Sequence, residues 1–315
     1  MEYIKEVELS ELKKSTRQSY GEILAELGEE NTDLIVLDAD LSCATKTEIF
    51  AKKFPNRFLD LGIAEADMIS TASGLSISGK VPFVSTFAVF AAGRAYDQIR
   101  NSVCYPNINV KICATHAGAT VGQDGATHQM IEDISIMRTV PNMMVFSPSD
   151  DTQTKWLIRE LLKIKKPSYT RLCRLNVNNI YSYNQKFELG KGIQIGNGKD
   201  GTVFATGVTV QEAIKAQKML KENNINIRVV DIFTIKPIDI ELIIKSANET
   251  KKLISVEDHN VIGGLGSAIS EVLTDKYPTK LIRLGIPDSF GKSGTSQELM
   301  EHFKITCNDI VEQFC

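Results

Sequence analysis

INVKICATHAGATVGQDGATHQ, residues 108–129, starts as a run of apolar and β-branched residues and breaks into a polar loop. That loop holds His116, Asp124 and His128 among the glycines Gly118, Gly122 and Gly125. A buried strand that opens into such a loop is the repeating unit of a parallel α/β sheet, where ligand-binding residues gather at the carboxyl ends of strands. Working outward, further strands are expected at DLIVLDAD (33–40), VPFVSTF (81–87), NMMVFSP (142–148) and SYTRLC (168–173). Helical stretches separate them at 64–78, about 87–103 and 150–165. The last carries Trp156, Ile158, Leu161 and Leu162 at helical spacing, and SPSDD supplies its start.

From Asn176 to Lys199 the chain turns polar and rich in Gly and Asn, which predicts a linker with a surface hairpin. A second strand-helix alternation follows: TVFATG, VQEAIKAQKMLKE, IRVVDIF, IDIELIIKSA, KLISVED, GSAISEVLTD, KLIRLG. The sequence therefore divides into a first α/β domain over 1–178, a linker over 179–192 and a smaller α/β domain over 193–315.

Bulk composition narrows the function classes. The 315 residues are 43% hydrophobic and 24% charged, with a formal net charge of −3, as in ordinary globular proteins. Neither nucleic acid nor an anionic membrane is an expected partner at that charge. The short lysine run at 163–166 suits a solvated helix end. No apolar stretch approaches the roughly 20 residues of a membrane span, and the N-terminal MEYIKEVELSELKK is polar. The six cysteines (Cys43, Cys104, Cys113, Cys173, Cys307 and Cys315) are scattered without a CxxC pair. They predict idle thiols in a reducing cytoplasm, with neither a disulfide framework nor a zinc site.

Three segments carry more polar residues and glycines than a plain sheet requires. In LGIAEADM (61–68), Glu65 follows a strand and opens a helix, a place where an acid also complements the helix dipole. In STFAVFAAGRAYDQIRNSV (85–103), Phe87 and Phe90 are three residues apart and serve either as a core pair or as a flat platform for a heterocycle. In the loop after residue 115, His116 and His128 flank Asp124. Their separation of twelve residues, with no HExxH or cysteine spacing, disfavours zinc. GGLGSA (263–268) lacks the third glycine of a dinucleotide fingerprint and predicts a tight turn into a helix.

LGIAEADM, STFAVF and THAGATVGQDGATHQ, in this order and spacing, resemble the pyrimidine-binding domain of the transketolase family. VPNMMVFSPSD and TRLCRLN continue the likeness, and VEDHNVIGGLGSAISE (256–271) is similar to the family's C-terminal domain. The resemblance runs from about Thr16 onward and implies a thiamine-diphosphate-binding-type parallel sheet domain followed by a smaller α/β domain. It implies that Glu65 is the carboxylate hydrogen-bonded to the pyrimidine N1′ of thiamine diphosphate. By the same likeness Phe90, with Phe87 close by, is the stacking shelf, and Asp40 belongs to the cofactor-side residues. His116, Asp124 and His128 would surround the sugar hydroxyls, with the two histidines steering protons. Arg174 matches the arginine that grips a substrate phosphate, whereas Arg171 is not the matching position.

One departure stands out. Where the family reads Ser-Ala-Asp-Leu-x-Pro-Ser, this chain reads DADLSCAT (38–45), so the phosphate-contacting serine falls on Ala44. Either Thr45 takes its place or the acceptor sugar differs. No Gly-Asp-Gly segment followed by Asn is present to hold a diphosphate through Mg2+. The resemblance thus implies a partner, an N-terminal subunit that carries the diphosphate and Mg2+ site, in a cytoplasmic α2β2 assembly acting on sugar phosphates. The implied reaction moves a two-carbon ketol unit from a ketose phosphate to an aldose. The β subunit of a 2-oxo acid dehydrogenase shares the layout but lacks the GQDGATHQ loop. A deoxyxylulose-phosphate synthase half shares the loop and RAYDQ (94–98). A non-catalytic binding module would have no reason to keep Glu65, Phe90, His116, Asp124 and Arg174 in register.

Overall fold

Two parallel sheets, each covered by helices, organise residues 3–314, which the computed structural model describes. Cys315 lies outside the described residues, and the other five cysteines are free thiols. The first sheet has seven strands in the order Thr234–Lys236, Met144–Phe146, Ser168–Arg171, Lys111–Thr115, Val81–Phe87, Leu34–Asp38 and Phe58–Asp60. All neighbours run parallel except Thr234–Lys236, which pairs antiparallel with Met144–Phe146. In the centre, every residue of Lys111–Thr115 is buried, as is all of Val81–Phe87 after Val81. That is why these strands read as continuous apolar runs rather than alternating ones. The five strands expected here are all present, Val81–Phe87 with the expected ends and the others one to three residues shorter at one or both ends, while Phe58–Asp60 was not read from the sequence.

The second sheet runs Leu281–Ile286, Leu253–Asn260, Gly201–Ala205, Ile227–Asp231 and an antiparallel edge, Ile193–Ile195. The glycine-rich turn at 263–268 leads into helix Leu265–Lys276, as read from the sequence. Its glycines are demanded by packing: a Cβ on Gly264 would sit 2.0 Å from a Glu257 carboxylate oxygen. Glu257 in turn accepts from the backbone N–H groups of Leu265 (2.6 Å) and Gly266 (2.8 Å) at the helix start.

Four features depart from the sequence reading. The hairpin expected in the linker does not form. Val177–Asn178 pairs with Lys13–Lys14, and Ile193–Ile195 pairs with Ile227–Asp231, so both ends of the linker turn outward to distant strands. Thr234–Lys236, placed by sequence in the second domain, crosses to the edge of the first sheet, where Ile235 joins the first core. Ile4, placed in the first domain, bridges to Ile195, and Ile4, Val7 and Leu9 pack on the second core. The helix expected at about 87–103 is broken into a π-turn at Val89–Arg94, a short α-turn at Tyr96–Gln98 and a second π-turn at Ile99–Cys104.

The longest helix, Thr16–Glu30, carries Gly21 and Gly28, whose added Cβ atoms would meet the Lys46 carbonyl oxygen at 2.4 Å and the Phe54 ring at 2.4 Å. Asp150 caps helix Asp151–Lys163 by accepting from Gln153 N at 2.7 Å, and its other oxygen accepts from Ile180 and Tyr181 N, each at 2.8 Å. This lays the linker along the helix start.

A polar seam joins the domains. Asp231 accepts from Ser149 Oγ (2.9 Å), Gln153 Nε2 (3.0 Å) and Tyr181 Oη (2.7 Å) in a fully buried place. Burial pushes its carboxyl up to about 6 against those three donors. A carboxyl raised in the folded state stabilises below the unfolded value and loses that contribution as pH rises through the folded one. Asp231→Asn, which does not titrate, is therefore expected to gain stability relative to the native chain by about 1–3 kcal/mol between pH 4 and 6, and to level off above. Urea unfolding across that window measures it, and a flat difference would contradict the assignment.

Candidate active site

The carboxyl ends of the central strands converge on one face, and the sequence-expected residues stand there. Glu65 is the first residue of helix Glu65–Ile77 and is only 1% exposed. Both its oxygens accept from Arg94 Nη1, at 2.9 and 2.8 Å. Arg94 also lies over the Phe90 ring, 4.5 Å from its centroid. Phe87 ends its strand, and the two rings stack 5.9 Å apart at 9°. His116 stacks on Phe87 at 3.8 Å, and the His128 ring meets Phe90 edge-on at 5.7 Å. Glu65, Phe87, Phe90, His116 and His128 thus form one continuous group.

His116 holds a left-handed backbone, φ 58°, directly after the strand Lys111–Thr115. For a side chain with a Cβ this conformation costs about 1–3 kcal/mol, and such strain clusters at functional sites. Its Nε2 lies 3.1 Å from Arg17 Nη1, and its Nδ1 lies 2.8 Å from Thr115 Oγ1. A guanidinium only donates, so Nε2 is the acceptor and Nδ1 carries the hydrogen. Burial first, then Arg17, Arg174, His128 and Lys46, hold the imidazole down at about 3. The ring is therefore neutral, with its tautomer set by two partners.

Arg174 donates to the Val121 carbonyl at 2.9 Å and pairs with Asp124 at 3.3 Å, which joins the loop after Lys111–Thr115 to the residues after Ser168–Arg171. Arg17 escaped the sequence reading. It also donates to the Ala44 carbonyl at 2.8 Å, its Nε has no partner among the described residues, and burial and Arg174 depress its pKa. A signal for it exists in the sequence: Arg17 stands in the first turn of Thr16–Glu30, where a cation opposes the helix dipole. Arg17 and Arg174 together place two guanidinium groups at this end of the site.

Thr45, expected as the serine's substitute, points into the protein. It is fully buried and its hydroxyl donates to Asp38 Oδ2 at 2.7 Å, beside Thr47 at 2.8 Å. The turn presents Ala44 to Arg17 and turns Thr45 inward. Asp40 is exposed with φ 62°, its N–H bound to Asp60 Oδ1 at 2.9 Å, and its side chain makes no hydrogen bond among the described residues. It stands at the rim, outside the aromatic group. Arg171 is buried in the domain seam against Asp133 at 3.0 Å.

The loop that carries Asp124 and His128 is fixed from the second domain. Asp258, 1% exposed, accepts from Ala119 N (2.8 Å), Thr120 N (3.3 Å) and Thr120 Oγ1 (2.6 Å). Gly118, at φ 81°, is required here, because a Cβ would lie 2.1 Å from Asp258 Oδ2. Ser296 Oγ donates to the Thr120 carbonyl at 2.8 Å, and Gln129 Nε2 donates to the Lys292 carbonyl at 2.7 Å. Among the described residues no group of three or more His, Cys, Asp or Glu side chains is arranged to hold a metal ion, and no helix is long and apolar enough to cross a membrane.

Comparison with known proteins agrees with this arrangement. Residues 13–179 match the model of the transketolase pyrimidine-binding domain, and residues 190–310 match that of the transketolase C-terminal domain. A chain of Methanocaldococcus jannaschii named as a transketolase C-terminal section is 48% identical, over 98% of this chain and 97% of that one. A 6-deoxy-6-sulfo-D-fructose transketolase subunit of a Clostridium species (strain MSTE9) is 39% identical, over 94% and 92%. A solved split gene transketolase, described as an inactive β4 tetramer, is 48% identical with a TM-score of 0.87, covering 95% of this chain and 96% of that one.

Hydrogen bonds to a charged acceptor contribute about 1.5–3 kcal/mol each. Asp258→Asn is therefore expected to speed amide exchange across residues 119–125 by about tenfold or more, read by mass spectrometry, with exchange in the strand Val81–Phe87 unchanged. Equal protection in both proteins would show that the loop holds itself.

Proposed function

The chain belongs to the transketolase family, and from that premise we propose that it is the C-terminal subunit of a split, thiamine-diphosphate-dependent transketolase, completed by an N-terminal subunit. The observation that carries this reading is a buried Glu65 carboxylate beside the Phe87–Phe90 shelf, on the same face as His116, Arg17, Arg174 and Asp124. The residues fit the cofactor's pyrimidine: Glu65 faces a flat, planar partner on Phe90 and has no other donor among the described residues. When bound, thiamine diphosphate supplies the nucleophilic carbon of its thiazolium ring for ketol transfer.

What this chain contributes follows from its own geometry. The buried Glu65 would hold the pyrimidine N1′ by a hydrogen bond, and Phe90 would fix the ring plane. His116, neutral and oriented by Thr115, would offer Nε2 to a sugar hydroxyl in place of its contact with Arg17, without adding charge. His128 and Asp124 stand opposite at the loop's outer edge, placed to orient hydroxyls and move protons among them. Arg174 and Arg17 grip the terminal anion of the sugar. Arg94, Asp124 and Arg174 are open to solvent on the outer side, the wall that the partner subunit would supply with its diphosphate and Mg2+ site. We place the reaction in the cytoplasm, where thiols such as the five free cysteines stay reduced. The working assembly is α2β2, with sites between unlike subunits.

With Ala44 at the serine position and Thr45 turned inward, the anion would be held by arginines without a hydroxyl from residue 44 or 45. That leaves room for acceptors beyond aldose phosphates, and the sulfo-sugar subunit among the relatives makes sulfonates worth testing.

Ketol transfer from xylulose 5-phosphate to ribose 5-phosphate is expected only when the chain is combined with its partner, thiamine diphosphate and Mg2+. Glu65→Ala is expected to leave partner binding intact and to lower turnover by at least about 10^3-fold. Normal turnover in that variant would sink the reading. Arg174→Leu is expected to raise KM for phosphorylated acceptors about 10- to 100-fold, by loss of a charged hydrogen-bond pair, with little change for non-phosphorylated ones.

A further inference from the structure

Glu65 has one counter-ion. Its two oxygens are reached by Arg94 Nη1 alone among the described residues, at 2.9 and 2.8 Å, in a place where the acid is 1% exposed. Arg94 makes no other hydrogen bond among the described residues, and its side chain is 48% exposed. Its guanidinium lies 4.5 Å from the Phe90 centroid. It stands at the end of the π-turn Val89–Arg94, where Ala95 N bonds back to the Phe90 carbonyl at 3.2 Å. A π-turn of this kind re-aims a side chain relative to an ordinary helix and is frequent at functional sites.

The two contacts Arg94 makes are a hydrogen bond to the Glu65 carboxylate and a stack on Phe90. They are the same two contacts that the reading above asks of the cofactor's aminopyrimidine. Both partners are flat, both hydrogen-bond the Glu65 carboxyl group (the pyrimidine N1′ through one shared proton), and both present a face to an aromatic ring. They cannot hold the place together.

We propose that Arg94 is a placeholder for the pyrimidine: it neutralises Glu65 and covers Phe90 in the chain by itself, and it must swing outward before the cofactor ring takes those contacts. This inference rests on the reading that Glu65 and Phe90 receive the cofactor. Arg94 is able to leave because one ion pair and one stack hold it, on a side chain already half in solvent. Displacing it weakens cofactor binding. In return, a chain without cofactor does not bury an unpaired carboxylate.

Two measurements test it. In the complex with the partner subunit and Mg2+, Arg94→Met, which keeps an apolar stem over Phe90, is expected to bind thiamine diphosphate about 5- to 10-fold more tightly by titration calorimetry. Unchanged or weaker binding would overturn the placeholder role, the latter by showing that Arg94 holds the cofactor. In the isolated chain, Arg94→Met is expected to lower the unfolding midpoint, and that loss is expected to vanish in a Glu65→Gln background, where no charge needs a partner. An equal loss in both backgrounds would overturn the proposal. Glu65→Gln also separates the two layers: native turnover in that variant contradicts the cofactor reading itself, whatever Arg94 does.

Discussion

The Asp258 carboxylate is the interaction on which the site's shape depends. The loop from Gly118 to Gly125 has little secondary structure of its own beyond one turn of 3-10 helix at Ala119–Val121. Its backbone donors need partners once buried, and the second domain provides them through Asp258, Ser296 and the Lys292 carbonyl. Arg171 secures Asp258 from behind by donating to its carbonyl at 2.7 Å while pairing with Asp133. A smaller domain that gives no residue to the aromatic group thereby decides where Asp124 and His128 stand.

Electrostatics within the site follow from that frame. Arg17, Arg174 and Lys46 concentrate positive charge around His116, which together with burial keeps the imidazole neutral. A neutral ring among cations suits a surface that receives an anion and still handles hydroxyl protons, because a charged imidazolium would compete with the arginines for the anion. The left-handed backbone at His116 points the ring onto Phe87 instead of continuing the strand, so the stored strain and the aromatic stack have one cause.

Much of this was legible in the sequence, and the exceptions have physical reasons. Strands buried on both faces read as apolar runs, and Val81–Phe87 appears where it was expected. Thr16–Glu30 was missed because Gly21 and Gly28 interrupt its helical pattern, although close packing against Lys46 and Phe54 is what requires them. Thr234–Lys236 is too short to show a period, and its crossing to the first sheet is a tertiary event. Glu65, Phe87, Phe90, His116, Asp124, His128 and Arg174 were readable as a group because a resemblance placed them. Arg17 was not, because the helix whose first turn makes it stand out was itself missed. The direction of the Thr45 hydroxyl depends on Asp38, a buried acid seven residues upstream, and no spacing rule encodes it.

A half-site poses a problem that a whole enzyme does not. On the function proposed above, its acid is buried to serve a cofactor and must also be tolerated in the separate chain. A buried carboxylate without a counter-charge opposes folding, so the same residue that suits the assembled enzyme is a liability in the separate chain. Glu65 resolves this within its own subunit, because the helix that carries Phe90 ends four residues later in an arginine that reaches back over the ring. The outward half of that arginine faces the side left open for a partner. If Arg94 is the placeholder proposed above, cofactor affinity and the stability of the separate chain are set against each other at one side chain.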